Sequence, residues 1–292
     1  MNTFLPKNTH RLTLIAALTI AAMGTLVSAA DAATYQLGFD QGVNGGNVLT
    51  TSNGLLDTTQ WADWKLDDIS GINSRTGDAA KLNLYNTNAN GRDNDLKTGS
   101  NWKTAPQGNA LIIQEEDGDS LRNNGSYKAD DETKGGYIDF KFAEAVDFGS
   151  ITLLDIDDNG GGIRIEGTRA DGSLLNIDID RLMAKHHRIN GTNGGIAEGT
   201  SVSRGGVKMT QVGNRQGDNS MFRFDINDAF LTNVRVSYPG SGAIASLEWD
   251  TLEAAAPQEI PEPSAIGGLL MIGFIGKKLK QKRDLSALSE LA

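Results

Sequence analysis

Residues 155–166, DIDDNGGGIRIE, place oxygen-bearing side chains at the spacing of a calcium-binding loop. The template Asp-x-Asp-x-Asn-Gly-x5-Glu is matched at every specified position, with Asp155, Asp157, Asn159 and Glu166 as its ligand-type residues. The template requires a helix on each side, whereas the flanking residues alternate between apolar and polar as strands do. The segment therefore predicts either a calcium ion bound outside a helix–loop–helix setting, or a β-hairpin whose turn is rich in Asp, Asn and Gly.

Two further pairs of carboxylates are candidate calcium ligands. Asp93 and Asp95 are two residues apart in a predicted loop and can direct two carboxylates at one cation. Asp40 ends the first predicted strand, and Asp250 directly follows the last. Carbohydrate-binding jelly rolls commonly hold a structural calcium between those strands, so analogy of architecture predicts one here. An acidic surface that serves only solubility is the alternative.

Few residues suggest catalysis. The chain has no cysteine, and its three histidines include the adjacent His186 and His187. Neighbouring residues on a strand point to opposite faces, so we interpret this pair as a solvated turn rather than a shared metal site. A glycosidase needs only two carboxylates, and the sequence indicates no particular pair. We expect a protein that is not an enzyme, with a polysaccharide-acting hydrolase as one alternative.

Three tryptophans are candidate glycan contacts, because sugar rings stack on aromatic faces beside hydrogen-bonding amides. Trp102 lies among Asn-rich segments, and Trp61 and Trp64 share a face only if their segment forms a helical turn. Trp249 lies in an alternating run and is predicted to be a core residue. For Trp61, Trp64 and Trp102, packing in the core and a glycan-binding platform are both open interpretations.

Short runs of alternating apolar and polar residues dominate the middle of the chain, at 34–255, with Gly, Asn and Asp between them. No long helical pattern separates them, so the prediction is an all-β domain, an antiparallel β-sandwich of jelly-roll type. The segment 57–69 is ambiguous and could hold one helical turn. The predicted strands are 35–40, 80–86, 109–114, 137–142, 150–157, 162–168, 173–180, 206–212, 221–226, 233–238 and 243–249.

The first 33 residues predict a signal peptide. Lys7 and Arg11 precede an apolar run at 12–27, and small residues suitable for cleavage follow at 30–33. An uncleaved membrane anchor is the alternative. We therefore expect an exported protein.

The C-terminal residues form four successive segments that differ in composition. A linker at 256–260 precedes a Pro-Glu-Pro triplet, an apolar run at 265–276 and a basic cluster at 277–283. About a dozen apolar residues are too few to span a ~30 Å hydrocarbon core firmly, which suits transient retention at the inner membrane. A short hydrophobic helix packed on the domain is the alternative.

Residues 261–284 resemble the sorting signal of the PEP-CTERM family of exported proteins of Gram-negative bacteria. The resemblance implies that Pro261, Glu262 and Pro263 form the motif recognised by an exosortase-type processing protease. It also implies a place at the cell envelope or outside the cell, with a role in biofilm or exopolysaccharide. In this chain the apolar run is shorter than is usual in the family, and residues 285–292 form an extra tail.

A second resemblance covers the segments 84–99, 108–119 and 128–158, which are similar to an uncharacterised β-sandwich domain of such exported proteins. It implies no particular activity. The formal net charge is −10, and the middle of the chain is more acidic than the whole, so nucleic acid is a disfavoured partner. We expect a matrix protein associated with extracellular polysaccharide, and a calcium-dependent carbohydrate-binding module is the second alternative.

Overall fold

The alternating segments of the middle of the chain form one antiparallel sheet of eleven strands in the computed structural model. The structure describes residues 32–42, 46–88, 94–102, 104–117, 120–156, 162–190, 199–212 and 220–252. The predicted signal peptide up to residue 31 and the predicted linker, sorting signal and extra tail lie outside the described residues. The mostly antiparallel β-structure confirms the all-β prediction.

One α-helix and two single 3-10 turns, Ala62–Trp64 and Ser100–Trp102, accompany the strands in the described residues. The helix α1 is Ile179–Asn190. The strands are β1 Thr34–Leu37, β2 Leu66–Asn73, β3 Leu82–Asn86, β4 Asn109–Ile113, β5 Gly136–Leu154, β6 Arg164–Arg169, β7 Leu174–Asp178, β8 Ser201–Arg204, β9 Val207–Gln211, β10 Met221–Tyr238 and β11 Ala243–Thr251.

Two long strands, β5 and β10, organise the sheet. They pair antiparallel over their whole length, from Met221 opposite Leu154 to Tyr238 opposite Gly136. On its other edge, β5 pairs first with β2 and then with β11. In the same way, β10 pairs first with β9 and then with β6. The β5–β10 pair therefore lies between two sets of strands. Strands β2 and β6 flank one end of the pair, and β11 and β9 flank the other end.

A bend in β10 separates the two sets. The register shifts between Asp225 and Asn233, and Asn227 and Phe230 have positive φ angles of 50° and 65°. Extra residues of this kind bend a strand and increase its twist. The guanidinium of Arg169 donates two hydrogen bonds, of 2.8 and 2.6 Å, to the carboxylate of Asp228 within the bend. The bend is thereby tied to β6.

The core draws on both sets of strands. One cluster of buried residues contains Phe140 from the half of β5 that pairs with β2, and Phe148 from the half that pairs with β11. The indole of Trp249 packs on Phe142 with ring centroids 5.5 Å apart. At roughly 25 cal/mol per Å² of apolar area, burying side chains of this size supplies the main favourable free energy of folding.

The first strand of the chain pairs with the last. Thr34 of β1 pairs with Asp250 of β11, and Leu37 pairs with Leu247. The backbone N–H of Thr251, the last residue of β11, donates to the carbonyl of Ala33, just before β1, at 2.9 Å. The chain therefore enters and leaves the sheet at neighbouring positions.

Helix α1 corrects the sequence prediction, which continued a strand to residue 180. A backbone N–H of the first turn donates to the carboxylate of Asp178 at 3.2 Å, so this residue caps the helix. The side chains of Ile179, Leu182, Met183 and His186 are buried. Their spacing of three, four and seven residues is the helical signal that the sequence contained. Among the described residues, no helix has the length and apolar character needed to cross a membrane.

The strand predictions were correct in position and partly wrong in extent. The predicted pairs 137–142 with 150–157 and 221–226 with 233–238 each form one long strand. Strands β2 and β8 were not predicted, because β2 contains an Asp-Asp step that breaks the alternation and β8 is only four residues long. The ambiguous segment 57–69 does contain a helical turn, of the 3-10 type.

We expect the turn that begins β5 to tolerate no side chain. Gly135 has φ 63°, and a Cβ there would lie 2.2 Å from the carbonyl oxygen of Tyr238. Gly135→Ala should lower the free energy of unfolding by about 3 kcal/mol or more, through strain and backbone displacement together. Gly172→Ala is the matched control, with φ 82° and open space around its Cβ, and should cost about 1 kcal/mol. Urea unfolding measures both, and equal losses would contradict the steric account.

Candidate functional site

A groove of about 400 Å³ lies beside Trp102, in the loops that follow β3 and precede β4. Its walls are mainly amide and hydroxyl side chains around one aromatic ring. The groove is lined by Thr87, Asn88, Lys97, Thr98, Gly99, Ser100, Asn101, Trp102 and Pro106.

Hydrogen bonds fix the floor of the groove. The hydroxyl of Thr87 donates to the carbonyl of Gly108 at 2.8 Å, and it lies 2.7 Å from the hydroxyl of Thr98. The Thr98 hydroxyl has two acceptors within reach, the Thr87 hydroxyl and, at 3.4 Å, the side-chain oxygen of Asn88. The Thr98 hydroxyl also accepts from the backbone N–H of Gln107 at 3.0 Å. Both threonines are buried, and their hydroxyls already have hydrogen-bond partners within the protein.

The wall and rim of the groove leave hydrogen-bonding groups open to solvent. The 3-10 turn holds Trp102, whose backbone N–H donates to the carbonyl of Gly99 at 2.9 Å. The indole is partly exposed, and the ammonium of Lys97 lies 5.8 Å from its ring centroid. Asn88 and Asn101 are exposed on the rim. An aromatic surface with amides beside it can contact the C–H face of a sugar while bonding its hydroxyls.

The other two candidate tryptophans take part in packing. Trp61 is fully buried, with its ring edge-on to Phe39 at a centroid distance of 5.8 Å. A glycan contact by Trp61 would require the core to open. Trp64 stacks on Tyr35 at 5.9 Å, and its carbonyl accepts the indole N–H of Trp249 at 3.1 Å. Of the three tryptophans, Trp102 is the one that lines a described groove.

The loop after β5 does not join the two strands of a hairpin. Strands β5 and β6 lie on opposite sides of β10, and each pairs with it. The hairpin interpretation of residues 155–166 is therefore wrong. Asp155 is buried with φ 54°, and its N–H donates to the carbonyl of Ser220 at 2.9 Å. Glu166 lies within β6, whereas Asp157 and Asn159 lie outside the described residues.

Of the other two carboxylate pairs, Asp40 and Asp250 are not brought together, and the pair Asp93 and Asp95 lies only partly within the described residues. Asp250 pairs with Thr34 at the start of β1, whereas Asp40 follows the end of β1, so the two carboxylates lie at opposite ends of that strand. The Asp40 carboxylate accepts the backbone N–H of Asn109 at 2.7 Å. Asp95 is described and Asp93 is not. Within the described ranges, no three His, Cys, Asp or Glu side chains form a group that could hold a metal.

The interpretation of His186 as part of a solvated turn is wrong. His186 lies in α1 with a fully buried side chain, and its ring meets Phe222 edge-on with centroids 5.6 Å apart. The amphipathic pattern of α1 explains this position, seven residues after Ile179. The side chain of His187 is outside the described set.

A group of charges near the start of β5 has a structural role. The guanidinium of Arg75 donates to Glu132 at 2.8 Å and to Glu115 at 2.7 Å, and the Glu132 side chain is fully buried. Partial burial, with Asp117 nearby, raises the pKa of Glu115. A raised carboxyl pKa is one property of a glycosidase acid. Here, however, the Glu115 carboxylate binds Arg75, and this ion pair joins the segment after β4 to the loop after β2.

Comparison with family models, with curated proteins and with solved structures gave no match to this chain. The groove beside Trp102 is therefore interpreted from its geometry alone. Asn88, Lys97 and Asn101 were not singled out from the sequence. Their signal was the concentration of Asn, Ser and Gly around Trp102.

Calcium binding stays a prediction of the sequence, and it has a direct test. If a calcium ion binds the native protein, the melting temperature should be higher in calcium than in chelator at the same ionic strength. At a hundred times the dissociation constant, the stabilisation of about 2.7 kcal/mol corresponds to a shift of roughly 5–10 °C for a domain of this size. Magnesium at equal concentration is the control. Equal melting temperatures in calcium and chelator would contradict the calcium prediction.

Proposed function

We propose that this chain is an exported, non-enzymatic protein of the cell envelope or extracellular matrix that binds extracellular polysaccharide. The observation that carries the proposal is the groove beside Trp102, in which a partly exposed indole adjoins exposed amide and hydroxyl side chains. Polar groups around an apolar surface are the usual composition of a small-molecule site, and sugars present hydroxyls and a C–H face to such a site.

The uncharged majority of the residues that line the groove suits a neutral polysaccharide. Lys97 is the sole ionisable residue among the described residues that line it, and its ammonium lies over the Trp102 ring. The acidic character of the whole chain opposes polyanions such as nucleic acid.

In this proposal the domain is a β-sandwich of the jelly-roll type. One support is that the β5–β10 pair lies between two sets of strands. The other is that one core cluster contains residues from both sets. Sheets that pack face to face bury side chains from both inner faces in one core. If the affinity for polysaccharide is lost in chelator, the protein is the calcium-dependent form of such a carbohydrate-binding module.

Sorting is the second part of the proposal and is supported by the sequence. The N-terminal segment has the composition of a signal peptide, and residues 261–284 have the arrangement of a PEP-CTERM signal. Pro261, Glu262 and Pro263 are proposed as the recognition motif of an exosortase-type protease. The apolar run would hold the chain at the inner membrane until that protease acts.

Binding through the groove is tested by replacing its aromatic ring. Trp102→Ala should lower the affinity for exopolysaccharide isolated from the producing cells by about tenfold or more, since aromatic anchors commonly contribute over 1 kcal/mol. Trp64→Ala is the matched control, which removes an indole outside the groove and should leave affinity unchanged. Affinity electrophoresis in gels that contain the polysaccharide measures both. Equal affinity of Trp102→Ala and the unsubstituted protein would contradict the groove, and release of reducing ends would contradict a non-enzymatic role.

Sorting is tested by the intact mass of the mature protein from membrane and medium. We expect an N-terminus near residue 34 and a C-terminus near residues 261–264, because both signals would have been removed. A mass that still includes residues 277–292 would contradict cleavage at the Pro-Glu-Pro motif, and a mass that includes residues 1–30 would contradict signal removal.

A further inference from the structure

The outward face of β7, β6 and β10 contains a second groove, of about 270 Å³. Strand register arranges its side chains in two rows across the three strands. Thr168 of β6 pairs with Leu174 of β7 and with Asn233 of β10, which forms one row. Glu166 pairs with Asn176 and with Arg235, which forms the other.

These six residues face away from the core. The residues that alternate with them, Ile165, Ile177 and Val234, are buried in the core cluster. Since alternate residues of a strand point to opposite faces, the two rows lie on the solvent side. Leu174 has 73% of its surface exposed and forms the apolar part of the groove.

The polar groups of this face are open to a ligand. Across the described residues, the side chains of Glu166, Thr168, Asn176 and Asn233 form no hydrogen bond or ion pair with the protein. The outward face near β11 differs, because there Glu248 accepts hydrogen bonds from Arg223 at 2.8 Å and from Ser150 at 3.2 Å. The first face offers its donors and acceptors to an external partner, and the second has paired them internally.

Arg235 gives the groove a fixed donor. Its Nε and Nη2 each donate to the carboxylate of Asp139 at 2.8 Å, and its guanidinium lies 3.8 Å from the ring centroid of Tyr137. The hydrogen bond with Asp139 raises the pKa of Arg235. The guanidinium is therefore held in place with its Nη1 donors directed away from that carboxylate. Because Asp139 balances its charge, Glu166 gives the groove an excess of negative charge.

The size and chemistry of the groove indicate the class of ligand. With strands about 4.8 Å apart and alternate residues about 6.8 Å apart, the two rows cover roughly 10 by 7 Å. A surface of this size can contact two linked sugar rings. Carboxylate, amides, a hydroxyl and a guanidinium together bond hydroxyl groups in both directions, whereas the charge of Glu166 opposes acidic sugars.

We propose that this face is a second polysaccharide site, specific for neutral sugars, and that the chain bridges two polysaccharide strands. The inference rests on the proposed function for its first site, the groove beside Trp102. That groove follows β3 at one end of the strand order, and the second groove lies on β10, β6 and β7 at the other end. Two sites in one chain also raise the apparent affinity for a long polymer, because the second contact is intramolecular.

Calorimetry on the full chain tests the second site. The probe is a set of neutral oligosaccharides of four to six sugars, prepared by partial acid hydrolysis of exopolysaccharide from the producing cells. We expect the unsubstituted protein to bind two oligosaccharides per chain. Trp102→Ala should leave one bound oligosaccharide, and so should the double variant Glu166→Gln with Asn233→Ala. The variant with all three changes should bind none. Glu166→Gln alone should weaken the second site about tenfold, as is usual for a lost charged hydrogen bond. Glu144→Gln, an exposed carboxylate elsewhere, is the matched control.

The outcomes separate this inference from the proposed function. A single site in the unsubstituted protein that Trp102→Ala removes would overturn the second site and leave the proposed function standing. A single site that Glu166→Gln with Asn233→Ala removes would overturn the Trp102 groove and the bridging role. Absence of binding by the unsubstituted protein would overturn both. Stronger binding of acidic oligosaccharides from the same hydrolysate would overturn the neutral class. Unchanged melting temperatures of the variants ensure that each loss reflects the site.

Discussion

The antiparallel pairing of β5 with β10 is the interaction on which the rest of the fold depends. The two strands stay paired from one end to the other, although each changes its outer partner halfway along. The bend at Asn227 and Phe230 makes the change possible, and the hydrogen bonds from Arg169 to Asp228 hold it. Both grooves lie on strands or loops that take their places from this pair.

Polar residues in this molecule have two different uses. Some bind other protein groups, such as Glu132 with Arg75, or Glu248 with Arg223. An unpaired polar group costs free energy when it is buried but little when it faces water. Glu166 and Asn233 can therefore remain without a hydrogen bond or ion pair to another described residue on the outward face of the sheet. This difference distinguishes side chains that maintain the fold from those that are available to a ligand.

The sequence predicted much of the sheet but little of the candidate site. Alternation marks a strand because it reflects one buried face, so β9 and β11 were located correctly. Alternation carries no information about partners, and the joining of four predicted segments into β5 and β10 could not be derived. The Trp102 groove depends on contacts such as that between Thr87 and Thr98, which loop closure brings together. Register across three strands likewise placed Glu166 beside Asn176 and Arg235, and no local pattern predicts such register.

The meeting of the first and last strands has a mechanical consequence. The chain leaves the sheet from β11, which pairs with β1 and β4 on one side and with β5 on the other. Tension applied through the end of β11 acts along a strand held on both sides. Such a load strains many hydrogen bonds at once in shear, whereas an edge strand can be peeled away one bond at a time. A domain held by this end would therefore resist pulling forces at the point where they enter the fold.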